Sequence, residues 1–520
     1  MNKLTNRWLV LAIVSTALLL IVVDMTVLYT ALPRLTHDLG ATGAQKLWIV
    51  NAYALAVAGL LPGAGTLGDR VGAKRMFLVG LVIFAVASAA AAFAPTAAAL
   101  IAARVLLAVG AAAMMPATLA IIRHTFDDAD ERALAIGIWA AVAAGGAALG
   151  PVLGGALLAH FWWGSVFLIN VPIVLVAWPL AAWLIEGRPG DASRHWDAWA
   201  SLYLLGTLVA LALAIKTAGQ RAPSLGVISL ALVVGLGCAA LFVRRQRRAA
   251  SPLIDFTLFA ERRFAGGVAA ALVAALALVG LELVLAQRLQ LVAGLTPLDA
   301  ALVILPVPLA AFVAGPLAGL ALRRMAALPL MALALLVAAL GTLGVAITHA
   351  ALGWPLLVWL AVLGAGLGAV MTGASSSIMH HAPPERAGMA ASMEEVSYEL
   401  GGALGVALLG SVLGGVYAAR LALPQGVSPT ARDSLDQALL AAESLPPAVA
   451  QNLIALAQTA FDQAFNVVVW VTAALLLLCA GALAWVSRPS FTRHATQTQR
   501  LPWIRLCRST GSAPLRGRDL

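Results

Sequence analysis

Four places in the sequence set ionisable side chains into apolar runs. They are Asp24 in IVVDMTVLYTALP (residues 21–33), Arg104 in IAARVLLAVG, Glu282 in VGLELVLAQ, and Glu394, Glu395 and Glu399 in SMEEVSYELGGALG. An ionised group at a bilayer centre costs at least ~2.5 to 3.5 kcal/mol, so each marks a functional site by default, with structural pairing as the competing role. Burial disfavours the charged form of a carboxyl group. A protonated acid is therefore tolerated in an empty site, and loss of the proton creates a seat for a cation. Asp24 is expected to work in this way rather than only as a capping or hydrogen-bonding group. It lies ~24 Å of helix rise beyond residue 8, in the outer part of the first apolar run. Arg104 cannot shed its charge, so it requires a partner or a wet cavity. Glu282 reads either as a second cation ligand or as a partner for Arg288. Glu395 and Glu399 are four residues apart and share a helix face with Glu394 alongside. They form either a charged helix entrance that complements the dipole or a capture site for cations. Tyr29, Trp48 and Tyr53 offer ring faces to a quaternary ammonium, worth ~0.5 to 2 kcal/mol each, or serve as packing and interfacial residues.

The elements that position these residues follow from composition. Of 520 residues, 62% are hydrophobic and 11% charged, and the mean hydropathy is +0.94. A hydrocarbon core of ~30 Å takes roughly 20 helical residues to cross, and fourteen runs of that kind are read, from residues 8–30 to 467–487. They are continuous rather than alternating, which excludes a membrane barrel. The first follows Lys3 and Arg7 without a small-residue cleavage site, so it is read as a retained span and not a signal peptide. Most of the 33 Lys and Arg residues fall on the side of the N-terminus, which places both termini in the cytoplasm. The formal charge of +10 is then an orientation signal, and the Arg244, Arg245, Arg247 and Arg248 cluster suits lipid headgroups rather than nucleic acid. Residues 488–520 read as a basic cytoplasmic tail without apolar periodicity. Cys238, Cys479 and Cys507 suggest neither a disulfide framework nor a metal site. Between the last two spans, residues 418–466 hold two amphipathic patterns, SLDQALLAAE and VAQNLIALAQTAFDQAF, expected as two short helices outside the membrane.

Two further motifs punctuate the first half. GTLGDRVGAKRMF (residues 65–77) reads as a tight cytoplasmic turn, in which Gly65, Gly68 and Gly72 permit close approach around Asp69, Arg70, Lys74 and Arg75. In GAALGPVLGG (residues 146–155), Gly146, Gly150, Gly154 and Gly155 permit close packing and Pro151 kinks the helix, as a seam or as a hinge. GAGLG at 364–368 has no strand before it and is read as helix packing. No GxxxxGK[ST], HExxH, GxSxG or CxxC is present, which argues against ATP as the direct energy source and against a membrane enzyme. His380 and His381, beside Pro383, read as a solvated turn.

These motifs resemble those of the major facilitator superfamily. GTLGDRVGAKRMF is similar to its loop signature between helices 2 and 3, and GAALGPVLGG to the antiporter signature of helix 5. Arg104 and Gly110 fit the helix 4 signature in part, since Leu107 and Ala108 stand where a Gln and a Gly are common. DMTVLYTALP, WIVNAYALA from Trp48 and SMEEVSYELGGALG resemble the fourteen-helix drug:proton antiporters, most closely the methyl viologen and quaternary ammonium exporters, with Tyr29 where many members have Asn. The resemblance implies an all-α membrane fold: a six-helix bundle in residues 1–185, inserted helices in 186–264, and a second bundle in 265–487. It also implies proton coupling at Arg104, a gating role for the 65–75 loop, and exchange of lipophilic or quaternary cations for protons by a monomer without a cofactor in a bacterial inner membrane. A proton-coupled transporter of another solute stays open.

Overall fold

The chain is described here from a computed structural model covering residues 3–191, 196–218, 224–249, 253, 256–381 and 387–487. The basic tail and Cys507 lie outside the described residues. In hydrocarbon every backbone N–H and C=O must be satisfied within its own segment, and the described residues accordingly form helices and turns without a strand. The first half holds α1 (Lys3–Asp38), α2 (Gly43–Val71), α3 (Ala73–Ala92), α4 (Ala97–Thr125), α5 (Ala129–His160), α6 (Ser165–Leu168) and α7 (Asn170–Leu184). Two helices follow, α8 (Ala198–Ala218) and α9 (Leu225–Arg248). The second half holds α10 (Arg262–Gln287), α11 (Pro297–Ile304), α12 (Pro306–Ala321), α13 (Ala327–Thr348) and α14 (Trp354–His381). It ends with α15 (Ala387–Arg420), α16 (Leu435–Glu443) and α17 (Pro447–Val486).

Thirteen of these segments are long and apolar enough to cross a membrane; α6 with α7, and α11 with α12, count as single spans. The expected fifth span falls on α5, whose described apolar part, Gly145–His160, is shorter than a full crossing. Local chemistry sets the boundaries. Thr42 and Gln45 form a reciprocal capping box at the start of α2, and Thr96, Ser224 and Thr296 cap α4, α9 and α11. Pro306 interrupts the tenth span between α11 and α12, because it supplies no N–H to the preceding turn.

Three expectations need correction. The turn read over residues 65–77 is confined to Gly72, since α2 runs on through Gly65, Gly68, Asp69 and Arg70 to Val71. Gly72 has φ 101°, a left-handed conformation that favours glycine, and a Cβ there would stand 2.8 Å from the Arg188 carbonyl. Lys74 and Arg75 begin α3, with Lys74 Nζ donating to the Ala182 carbonyl at 2.8 Å. Only one separate α-helix, α16, forms between the last two spans, after a single 3-10 turn at Pro429–Arg432. The second amphipathic pattern is continuous with the last span as the 40-residue α17, because within this helix no proline follows Pro447 and the first glycine is Gly481. His380 and His381 belong to the last turn of α14 rather than to a loop.

Two hydrophobic cores organise the molecule. One joins α1 to α7 and also takes in Leu283, Val396 and Val406 from the second half; the other joins α10 to α17. The helix α8 packs on α2 and α15, and α9 packs on α8 while exposing Leu230, Val233 and Leu236. Segment 421–446 and the start of α17 cover one end of the molecule, the cap end. There the two halves are tied together by a buried ion pair between Lys46 and Asp436, by His37 with Glu443 at 2.9 Å, and by Gln437 donating to the Ala41 carbonyl at 3.0 Å.

The α5 glycines form a packing seam. Gly150 lies against Thr26 and the Val27 amide, Gly154 against Val27, and Gly146 against Leu19 and Val22, all on α1. Pro151 lies within the same helix, and Gly155 faces Leu298 of α11 across the two halves. GAGLG behaves likewise, Gly364 and Gly368 meeting the Val307 and Ala311 carbonyls of α12. A Gly150→Val substitution is expected to destabilise the protein by ~1 to 3 kcal/mol through overpacking, read as a lower melting temperature in detergent. An unchanged melting temperature would mean that α1 and α5 are not held this closely.

Candidate functional site

A cavity of about 1000 Å³ lies where α1, α2 and α4 of the first half face α10, α12, α14 and α15 of the second. Tyr29, Asn51, Tyr53 and Arg104 line it on one side, and Glu282, Glu394, Glu395 and Glu399 on the other. The acids therefore come only from α10 and α15, which glycines bring together. Gly401 and Gly405 lie against the Leu272 and Leu276 carbonyls, and Gly280 against that of Gly405. The two helices run in the same direction, and this register sets Glu282 near the level of Ser411, roughly three turns along α15 from Glu399.

Glu394, Glu395 and Glu399 all reach the cavity, so they are not merely a charged helix entrance. The Tyr398 hydroxyl donates to Glu394 at 3.1 Å. Glu282 does not pair with Arg288, which is bound instead to Asp462 of α17 at 2.7 Å. Three cavity-lining groups, Asn51 Oδ1, Tyr53 Oη and Glu399 Oε2, are buried without a hydrogen-bond partner among the described residues. Leaving such groups unmatched costs about 1 to 3 kcal/mol each, a cost that a ligand able to satisfy them would offset.

Asp24 departs from expectation. Its carboxylate is fully buried behind Arg104 and bonded to that guanidinium at 2.5 Å, so it is not an open cation seat. Asn170 of α7 donates to Asp24 at 3.3 Å and to Ser88 of α3 at 3.1 Å. Arg104 also donates from Nε to the Ile49 carbonyl at 3.3 Å, and its guanidinium carbon stands 4.4 Å from the Tyr53 ring centroid. Arg104 thus has both a carbonyl and a carboxylate as partners, as a buried permanent charge requires. Arg104 is the only cationic side chain lining the described cavity, and it is already committed. Among the described residues, the four glutamates face that space without a dedicated cationic partner.

Aromatic side chains are divided between two places. Tyr29 and Tyr53 line the cavity, but Trp48 does not; Lys216 of α8 places Nζ 4.9 Å from its ring centroid. Sequence reasoning passed over Asn170 and Ser88. The first was detectable as an amide in the apolar run FLINVPIV, whereas nothing local distinguishes Ser88 from the small residues around it. Lys216 was detectable as a charge near the end of a span, but its inward direction was not.

Comparison with known proteins agrees with this architecture. The family model described as Major Facilitator Superfamily matches residues 14–406. The methyl viologen resistance protein SmvA of Salmonella typhimurium is 40% identical over 487 residues, covering 93% of this chain and 98% of SmvA. The multidrug efflux pump LfrA of Mycolicibacterium smegmatis is 38% identical, covering 93% of this chain and 96% of LfrA. Among solved structures, a bacterial homologue of the human lysosomal transporter Spinster, in an inward-facing and unoccupied conformation, superposes with a TM-score of 0.62. That match has 18% identity and covers 92% of this chain and 98% of the Spinster homologue. Helical architecture, a cavity between two halves and matches along nearly the whole length lead to one assignment: the chain is a membrane transporter of the Major Facilitator Superfamily.

Proposed function

We propose that this protein exports lipophilic and quaternary organic cations in exchange for protons, by alternating access. The observation that carries the reading is the charge imbalance of the central cavity: four carboxyl groups, with the single cation opposite them already paired. The name of SmvA records methyl viologen resistance, and that of LfrA multidrug efflux.

In this mechanism the carboxyl groups accept either protons or the cargo cation. Facing out, they take up protons and release the cation; facing in, they lose protons and bind the next. Tyr29 and Tyr53 give the cargo apolar and ring-face contact. Arg104 and Glu399 line the same cavity, so a charge on Glu399 attracts the guanidinium. Its attachment to Asp24 weakens when Glu399 ionises and strengthens when cargo or a proton neutralises Glu399. That exchange of partners links the occupancy of α15 to the packing of α1, α4 and α7. The Gly72 turn and the α5 seam are the proposed gating and hinge positions for rocking the halves, residues 1–185 and 265–487, with 186–264 inserted between them.

We place both termini in the cytoplasm of a bacterium and the cap end outside the inner membrane, with fourteen crossings including α5. The cap ties and the apolar contact of Leu283 and Val406 with the first half then close the outer side. Lipids surround the exposed faces, and one chain contains the complete cavity, so a monomer suffices. Exchange of one proton for a monovalent cation moves no net charge, whereas two protons gain ~2.3 kcal/mol per 100 mV. Expression in a drug-sensitive bacterium tests the cargo class. Growth should extend to severalfold higher methyl viologen and quaternary ammonium concentrations, and indifference to both would favour another solute.

A further inference from the structure

A second cavity, of about 500 Å³, lies one to two helical turns nearer the cap on the same helices. Along α2, Lys46 and Leu47 line it, whereas Val50 and Asn51 line the central cavity; along α15, Gly410 and Gly414 take over from Gly402 and Val406. An apolar layer separates the two spaces. Leu47 lies on Gly410, 2.6 Å from the place of a Cβ, and Leu283 and Val406 are each 1% exposed. Cargo leaving the central cavity along these helices enters the second one next.

The charge reverses between them. Lys46, Lys216 and Arg432 line the outer cavity together with one acid, Asp433, and Asp436 is bound to Lys46. Lys216 is the unusual member. A lysine near the end of a span ordinarily extends its ammonium to water, yet this one is 7% exposed and turned inward. Its Nζ donates to the Ala44 carbonyl, stands over Trp48, and has no carboxylate at ion-pair distance among the described residues. Ser411, also buried in this lining, has a hydroxyl with no partner among the described residues.

We infer that Lys216 is a release residue: held in the lining by the Ala44 carbonyl and the Trp48 ring, it makes the outer cavity repel organic cations. Cargo freed from the acidic cavity is thereby prevented from rebinding on the outer side. This rests on the cation-export reading above and adds its direction. At an effective dielectric near ~20, two like charges ~7 Å apart weaken binding by more than ~tenfold.

The test compares methyl viologen exchange in right-side-out and inverted vesicles carrying the full chain, reading the half-saturating concentration at each face. For Lys216→Met, the value at the cap face should fall at least tenfold while that at the opposite face stays unchanged. Lys216→Arg should match the wild type, and Arg432→Gln should shift the cap face in the same direction by less. Equal changes at both faces, or none, would overturn the release role and leave Lys216 as a structural tie to Ala44 and Trp48. If Lys216→Met fails to reach the membrane, Arg432→Gln decides on the same one-sided shift. Absence of exchange by the wild type at either face would overturn the export reading itself, a different result from a wild type that exchanges and a variant that does not differ.

Discussion

An Asp24→Asn variant should lose proton-coupled transport almost completely and should also be markedly less stable. The substitution leaves the Arg104 guanidinium, 2% exposed, with no ionised partner in contact, because the new amide, the Ile49 carbonyl and the Tyr53 ring are all neutral. Breaking a buried ion pair from one side costs ~3 to 5 kcal/mol, because the remaining charge is uncompensated. Replacing both partners is far less costly, since no lone charge is left in the interior. The Asp24→Asn, Arg104→Gln double variant should therefore recover a melting temperature near that of the wild type. It should still bind cations but move no protons, because the group that senses Glu399 is gone. A double variant with normal coupling would reduce the pair to a structural tie.

Loss of the cavity carboxylates should act differently, on cation affinity rather than on folding. A carboxylate ~5 Å from a cargo charge at an effective dielectric near ~20 contributes about 3 kcal/mol, about a hundredfold in binding. Glu282→Gln with Glu399→Gln should weaken methyl viologen, a dication, by at least that factor, and ethidium, a monocation, by clearly less. The dependence on cargo charge separates direct electrostatics from altered shape, which would weaken both alike. Equilibrium binding to purified protein, followed by fluorescence for ethidium and by competition for methyl viologen, gives both numbers.

Much of this arrangement was legible in the residues. Apolar run length located the helices, because hydrocarbon leaves a spanning segment few alternatives. Glutamates inside α10 and α15 were visible as misplaced charges, and the four-residue spacing of Glu395 and Glu399 fixed their common face. Pairing was less legible. Asp24 and Arg104 are 80 residues apart, and only the packing of α1 against α4 decides that the acid faces the guanidinium instead of the cavity. Trp48 shows the same limit. Its sequence position on α2 differs little from that of Tyr53, but the helical turn between them points one ring at Lys216 and the other into the acidic space. The α17 helix was divided in two by reading the change from amphipathic to apolar as a boundary. Hydrophobic pattern reports the environment of a helix, and a helix can leave the membrane without ending.

The most direct test of the central claim is cation-driven proton movement in inverted membrane vesicles holding an imposed, acid-inside pH gradient. Adding ethidium or methyl viologen to wild-type vesicles should release lumenal protons, while the Glu282→Gln, Glu399→Gln variant at the same protein level should release few or none. Wild-type vesicles that accumulate either cation without moving protons, or a variant that releases protons as the wild type does, would contradict the account.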